Sequence, residues 1–404
     1  MSDVRPHGSD AAETTIFDRM TRLAQETGAL NLGQGFPDED GPAAILDAAQ
    51  AAMRAGHNQY APLAGVPALR EAIAAHQRRR YGIELDPDGE VQVTFGATEA
   101  IASALLGLLE PDDEVAMLDP SYDSYVAVAR LAGATPRPIV LRPPDWRVTA
   151  AALDDALTPR TRMLLLNTPH NPTGRVLDRD ELELLATAAR ERDLLVVSDE
   201  VYEHMAYETA HVPIATLEGM ARRTLTISSL GKMHSLTGWK VGWASGPRPL
   251  VAATRNVKQF LTYAGGTPFQ HAAAAALALD DEIAALTAAL RVKRDRLAAG
   301  LAAAGFDVLP TEGTYFLTVD PRPLGEDDAE ALCLRLPVEA GVVAIPTSVF
   351  CQDAGRDRAA LLRLAFCKRE QVLDEAVARL AAWAADRGPV ADGRRPEPAD
   401  LDLA

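Results

Sequence analysis

Lysine is scarce in this 404-residue chain: of 40 Lys plus Arg, five are lysines, at 232, 240, 258, 293 and 368. Arginine carries the rest of the positive charge and stays protonated, whereas a lysine amine can shed its proton and attack a carbonyl carbon. The few retained lysines are therefore candidates for chemistry. Cysteine is scarcer still. Cys333, Cys351 and Cys367 form no CxxC or other metal-ligand spacing, so no metal is expected, and an odd number spread so widely argues against a disulfide framework. Positive charge as a whole is in deficit. A net charge of −17 offers no basic face for a phosphate backbone and argues against a nucleic-acid partner. No apolar run reaches the roughly 18 residues that a membrane span needs, so no membrane partner is expected. The first ten residues carry neither a basic-then-apolar signal nor an Arg/Ser-rich amphipathic pattern, and the expected location is cytoplasmic.

What remains is ordinary globular composition, 48% apolar and 24% charged, in a chain long enough for two packed domains or one large domain with a smaller appendage. Between 91 and 246, short apolar runs (VQVTFG, EVAMLD, RMLLLN, LLVVSDE, RTLTISS, VGWASG) read as buried strands. Helical stretches at 98–109, 124–132 and 179–192 separate many of them. Such alternation predicts a largely parallel sheet covered on both faces, with ligands at the strands' C-terminal ends. Downstream come a long helical pattern over 281–304, the strand-like pieces TYFLTVD, VVAIP and LLRLAF, and a final helix over 370–385. These suit a smaller α/β domain. Residues 1–12 and the Pro/Gly/charge-rich 387–404 read as disordered tails, and no internal repeat is present.

The chemistry-bearing residues cluster near the ends of the predicted strands. In SSLGKMHSLTGWKVG, small residues follow a buried strand and allow close backbone approach to a ligand. Lys232 there can form an imine with an aldehyde, Ser229 can donate to a phosphate and Lys240 can supply that phosphate with a cation; two solvated surface lysines are the alternative. Asp199 ends the strand LLVVSDE, where a carboxylate needs a partner. A pyridinium nitrogen, kept protonated so that the ring acts as an electron sink, is one choice; a helix cap is the other. Tyr202 and Asn171, the latter in the Pro/Gly turn of NTPHNPTG, can reach a phenolic oxygen on the same ring. Ala97 and Thr98 sit where a strand turns into a helix, whose exposed amides either hold a phosphate or serve only as a capped end. Tyr122 either stacks on a ring or packs in the core. Arg363, among the apolar residues of LLRLAF, must pair with an anion, either a substrate α-carboxylate or an internal Asp or Glu.

Taken together and in this order, FGATEA, NTPHNPTG, SDEVY and SSLGK…GWK resemble the class I/II aminotransferases, fold type I pyridoxal-phosphate enzymes. The resemblance runs from about 14 to 385 and takes in NLGQGFPDEDGP (31–42), NQYAPLAG (58–65), GTYF (313–316) and IPTSVF (345–350). GATEAIA, KQFLTYAGGTPFQ and FCKR are similar to actinobacterial N-succinyldiaminopimelate aminotransferases, within the branch that holds kynurenine, glutamine and methionine aminotransferases. The resemblance implies an α/β fold: a large domain (43–289) with a mainly parallel seven-stranded sheet between helices, and a smaller α/β domain (13–42 with 290–386). It implies pyridoxal 5'-phosphate as cofactor and Lys232 as the Schiff-base lysine. Asp199 would then meet the pyridinium nitrogen, Asn171 and Tyr202 the phenolic oxygen, and Ala97, Thr98, Ser229 and Lys240 the phosphate. Tyr122 would stack on the ring, Arg363 would bind the α-carboxylate, with Asn171 beside it, and Gly35 would line the substrate pocket. A homodimer with shared sites is implied, Tyr60 reaching the neighbour's phosphate and Tyr263 lying near that interface. The implied reaction transfers an amino group from an L-amino acid to a 2-oxo acid such as 2-oxoglutarate, with N-succinyl-LL-2,6-diaminopimelate as the foremost donor. Kynurenine, glutamine or methionine, with β-lyase action on cysteine S-conjugates, is the alternative. Phe17, His204 and Tyr263 are further candidates for the pocket. A DNA-binding regulator built on the same domain is disfavoured by the missing basic patch.

Overall fold

The computed structural model describes residues 15–387; the expected tails, apart from Arg387, lie outside them. In chain order the strands are β1 (Leu30–Asn31), β2 (Val91–Phe95), β3 (Glu114–Asp119), β4 (Thr135–Val140), β5 (Thr161–Asn167), β6 (Leu195–Asp199), β7 (Thr224–Ser229), β8 (Val241–Ser245), β9 (Asp307–Val308), β10 (Phe316–Asp320), β11 (Val342–Val343), β12 (Ile345–Pro346) and β13 (Leu362–Ala365). Seven of them form the main sheet in the order β2-β8-β7-β6-β5-β3-β4. Neighbours from β4 to β7 pair in parallel, whereas β8 is antiparallel to both β7 and β2.

The apolar runs are continuous because both faces of this sheet are covered. In β5, Leu164 and Leu166 enter a core shared with Leu182 and Leu185 of the helix Arg179–Glu191. Met163 and Leu165 point the other way, into a core shared with Ile101 and Leu105 of the helix Gly96–Leu108. The first of these helices starts with a complete capping box, Asp178 and Glu181 each satisfying the other's backbone amide. A strand not foreseen from the sequence is β4, TPRPIV, whose two prolines hide a strand pattern. It lies at the sheet's edge, where missing N–H donors are tolerated.

A smaller antiparallel sheet, β12-β13-β10-β9, forms a separate layer. The helices Asp280–Ala303 and Glu370–Ala385 contribute Leu297, Leu301, Leu373 and Leu380 to its core. The segment VVAIP is divided: β11 pairs in parallel with β1, while β12 pairs with β13. Among the described residues no helix is long and apolar enough to cross a membrane.

The direction of β8 decides where chemistry collects. Because β8 runs opposite to its neighbours, its first residue, Val241, pairs with Phe95 at the end of β2, and Gly242 pairs with Ser229 at the end of β7. Asn167 and Asp199, ending β5 and β6, pair with each other. Lys240, just before β8, is thereby delivered to the same edge as the C-termini of β2, β5, β6 and β7.

Candidate active site

That edge opens into a cavity of about 310 Å³, within the size range of small-molecule sites. It is lined by Gly35, Ala97, Thr98, Tyr122, Asn171, Asp199, Tyr202, Ser229, Lys232, Lys240 and Arg363. These are the residues to which the sequence assigned cofactor or substrate contacts, apart from Tyr60; of the further pocket candidates, Tyr263 does not line the cavity. Phe17 also lines it. His204 does not: its ring turns away to His76. Tyr60 is 85% exposed, and its ring sits edge-on to Tyr263, 5.8 Å between centroids.

Lys232 belongs to a single helical turn, Leu230–Met233, that directly follows β7. Its Nζ donates to the Tyr315 hydroxyl at 2.7 Å, and that hydroxyl donates to the Gly35 carbonyl at 2.5 Å. Burial of the amine pulls its pKa down to about 8, so roughly a tenth to a fifth of it is neutral near physiological pH, far more than for an ordinary lysine. Asp199 is buried, accepts from Tyr125 Oη at 2.5 Å and from the Val201 amide at 3.2 Å, and forms no ion pair among the described residues. It caps no helix. Desolvation raises its pKa to about 6 despite the Lys232 charge in the same cavity, so the carboxylate lies deep in protein without an ion pair among the described residues.

Arg363 projects from β13. Nη1 donates to Asn171 Oδ1 and Nη2 to the Gly33 carbonyl, each at 2.9 Å, while Nε has no partner. Phe316 and Phe350 flank the guanidinium, with centroids 4.0 and 4.5 Å from Cζ. Its partners are neutral, and no internal Asp or Glu pairs with it among the described residues. Burial lowers its pKa to about 10, which still leaves it cationic at neutral pH. Asn171 is held in turn by its backbone amide, which donates to Asn167 Oδ1 at 2.9 Å.

At the other end of the cavity lies the start of the helix Gly96–Leu108. Its first residue is two positions earlier than the sequence pattern indicated, and Phe95 is its N-cap without a side-chain cap bond. Thr98 is thus inside the first turn rather than at the cap, and its hydroxyl pairs with Tyr122. The amides of this turn carry no capping side chain, as an anion site requires. Gly242 brings β8 against the same turn: a Cβ there would lie 2.5 Å from the Gly96 carbonyl carbon and 2.6 Å from the Ala97 nitrogen. Gly35 is similarly confined, with 2.4 Å from its ideal Cβ to the Phe316 ring.

A lone buried carboxylate, an uncapped helix start next to Ser229 and Lys240, and an amine with depressed pKa between them match the ring nitrogen, phosphate and aldehyde of pyridoxal phosphate. Tyr125, Asn167, Tyr315 and Phe316 were not identified from the sequence as site residues. Tyr315 and Phe316 lie in GTYF, quoted for resemblance alone, and Asn167 opens NTPHNPTG; Tyr125 carries no local signal, because its role depends on Asp199, 74 residues away.

The fold and cavity define a fold type I pyridoxal-phosphate enzyme. The chain belongs to the class I and II aminotransferases, whose family model matches residues 27–380. It is 52% identical over 396 residues to a probable N-succinyldiaminopimelate aminotransferase of Mycobacterium tuberculosis, covering 95% of this chain and 98% of that one. With the methionine aminotransferase of Escherichia coli it shares 42% identity, over 91% and 95% of the two chains. The solved structure of N-succinyldiaminopimelate aminotransferase from M. tuberculosis superposes with a TM-score of 0.89 at 52% identity, over 92% and 97%.

Proposed function

We propose that this aminotransferase uses N-succinyl-LL-2,6-diaminopimelate as amino donor and 2-oxoglutarate as acceptor in the cytoplasm. The single observation that carries the chemistry is the Lys232 amine, with its depressed pKa, in one cavity with the unpaired Asp199 and the carboxylate-free Arg363. When bound, pyridoxal phosphate supplies an electron sink and a carrier for the amino group. The chain's residues do the rest. Asp199 would hold the ring nitrogen protonated, its charge oriented by Tyr125. Tyr202 and Asn171 would hydrogen-bond the phenolic oxygen, and Tyr122 would cover the ring. The first-turn amides at Ala97 and Thr98, with Ser229 and Lys240, would hold the phosphate, and Tyr60 of a second copy would complete it. Arg363 would bind the α-carboxylate through its guanidinium while Gly35 leaves room for the substrate. Lys232 would take the α-proton of the donor as a base and hold it on Nζ, beside the Tyr315 hydroxyl. We assign residues 13–42 and 290–386 to a small domain and 43–289 to a large one.

Similarity to the M. tuberculosis enzyme supports the succinylated donor. The 42% identity to a methionine aminotransferase and 34% to a mouse kynurenine–oxoglutarate transaminase support methionine or kynurenine as the alternative donor, a reading to which glutamine and β-lyase action on cysteine S-conjugates also belong. A panel of these donors with 2-oxoglutarate, compared by kcat/KM, separates them: the succinylated substrate is expected to lead by at least about tenfold, or roughly 1.4 kcal/mol of transition-state discrimination. A lead for any other donor moves the enzyme to that specificity and leaves the transamination standing. Lys232→Ala is expected to bind the cofactor and lose turnover; normal turnover in that variant would remove the assignment altogether.

A further inference from the structure

Two imidazoles and a carboxylate meet behind the segment that carries Asp199 and Tyr202. His76 comes from the helix Pro67–Tyr81, whereas Glu203 and His204 come from the turn after β6. The Nε2 atoms of His76 and His204 are 3.0 Å apart, and one ligand atom from each of the three residues lies within 4.8 Å of the others. Two nitrogens bound to zinc at roughly 2.0–2.1 Å in tetrahedral geometry are about 3.3 Å apart. An ion therefore fits between these rings after a displacement of a few tenths of an ångström.

We infer that His76, Glu203 and His204 form a binding site for a single zinc-type divalent cation, separate from the cofactor cavity.

Three features support the site. His76 and Glu203 are buried, and the half-buried His204 lines a surface cleft with Arg80, Thr287 and Arg291, through which an ion can reach it. Glu203 already has outer supports. Ser228 Oγ donates to Oε1 at 2.5 Å and Tyr81 Oη to Oε2 at 2.7 Å, leaving each oxygen a second lone pair for the ion. His204 is fixed from the backbone side, its carbonyl accepting from Thr287 Oγ1 at 2.7 Å.

Without an ion, an N–H···N bond between the two neutral rings accounts for their approach. Loading moves the bridging proton from Nε2 to Nδ1 of the same imidazole; at His76 that buried Nδ1 has no acceptor, a cost that ion binding must exceed. The nearby guanidiniums of Arg79 and Arg80 are both paired with Asp280, which limits their repulsion. Donor chemistry of two nitrogens and one oxygen favours zinc or cobalt over magnesium or calcium.

The test uses holoenzyme stripped of metals by a chelator and titrated with Zn²⁺ by calorimetry. One equivalent is expected to bind the wild type, and His204→Ala is expected to weaken it at least tenfold while keeping the cofactor's absorption spectrum. His57 and His271 form a second, stacked pair, 3.9 Å between centroids, so His57→Ala is the control and is expected to bind as the wild type does. Co²⁺ gives an independent reading that survives a misfolded variant: d–d bands of a low-symmetry nitrogen and oxygen site are expected in the wild type, beyond the cofactor's absorption. No saturable binding to the wild type, equal binding by His204→Ala, loss of binding on His57→Ala, or a thiolate-to-cobalt band would each overturn the inference.

Discussion

Asp199 is costly to the fold and, on the proposed function, necessary to the reaction. Its folded-state pKa of about 6 lies above its ordinary 3.8, so between those values the folded protein keeps a proton that the unfolded chain releases. Stability of the cofactor-free protein therefore falls as pH rises through that window, and above it the full cost of the buried charge is present. At about 1.4 kcal/mol per pKa unit, that cost is roughly 3 kcal/mol. Asp199→Asn removes the charge while its amide oxygen still accepts from Tyr125. Cofactor-free Asp199→Asn is expected to exceed the wild type in urea-unfolding stability by up to roughly 3 kcal/mol at pH 7.5, the gap narrowing toward pH 4, with turnover lost. A gap that does not change with pH would mean that desolvation is not what disfavours the carboxylate. Bound cofactor should reverse the order, because the pyridinium then pairs with the wild-type charge. Asp199 was legible in the sequence because it ends an apolar strand. Tyr125 was not, since a tyrosine on a helix reads as packing until the carboxylate it meets is located in space.

At the scale of elements, the close contact of β8 with the helix Gly96–Leu108 sets the phosphate end of the cavity. A Cβ at position 242 would meet main-chain atoms of Gly96 and Ala97, and backbone cannot give way as a flexible side chain can. Gly242→Ala is expected to displace the first helical turn and weaken pyridoxal phosphate by at least about tenfold, since overpacking typically costs 1–3 kcal/mol. Equilibrium dialysis of the cofactor measures this, and unchanged affinity would mean that the turn is not the phosphate site. Apolar runs gave away β2, β3, β5, β6, β7 and β8, because strands covered on both faces have no polar alternation to obscure them. The edge strand β4 escaped notice for the opposite reason: Pro136 and Pro138 remove donors that only an edge can spare. The start of the helix was misplaced because the strand's last residue, Phe95, acts as N-cap without a capping side chain, so Thr98 looked like the boundary.

For the whole molecule, the cavity draws on distant parts of the chain: Gly35, the 95–98 turn, Asn171, Asp199, the 229–240 segment and Arg363. Motifs named nearly all of these residues but could not tell which way His204 would face, since that depends on a helix 128 residues away. Tyr60, exposed and set edge-on to Tyr263, is where the proposed partner would contribute. Sedimentation is expected to give twice the 43.2 kDa chain mass, and Tyr60→Ala should weaken the cofactor in a protein that remains dimeric. A monomer with full cofactor affinity would remove the shared-site proposal. One feature of the sheet also bears on synthesis. β2, which leads into the uncapped 95–98 turn, has β8 as its sole sheet neighbour among the described residues, so during translation its pairing partner is made about 150 residues later. The proposed phosphate site is thus complete only once β8 has been made, and capture of the cofactor is expected to require the closed sheet.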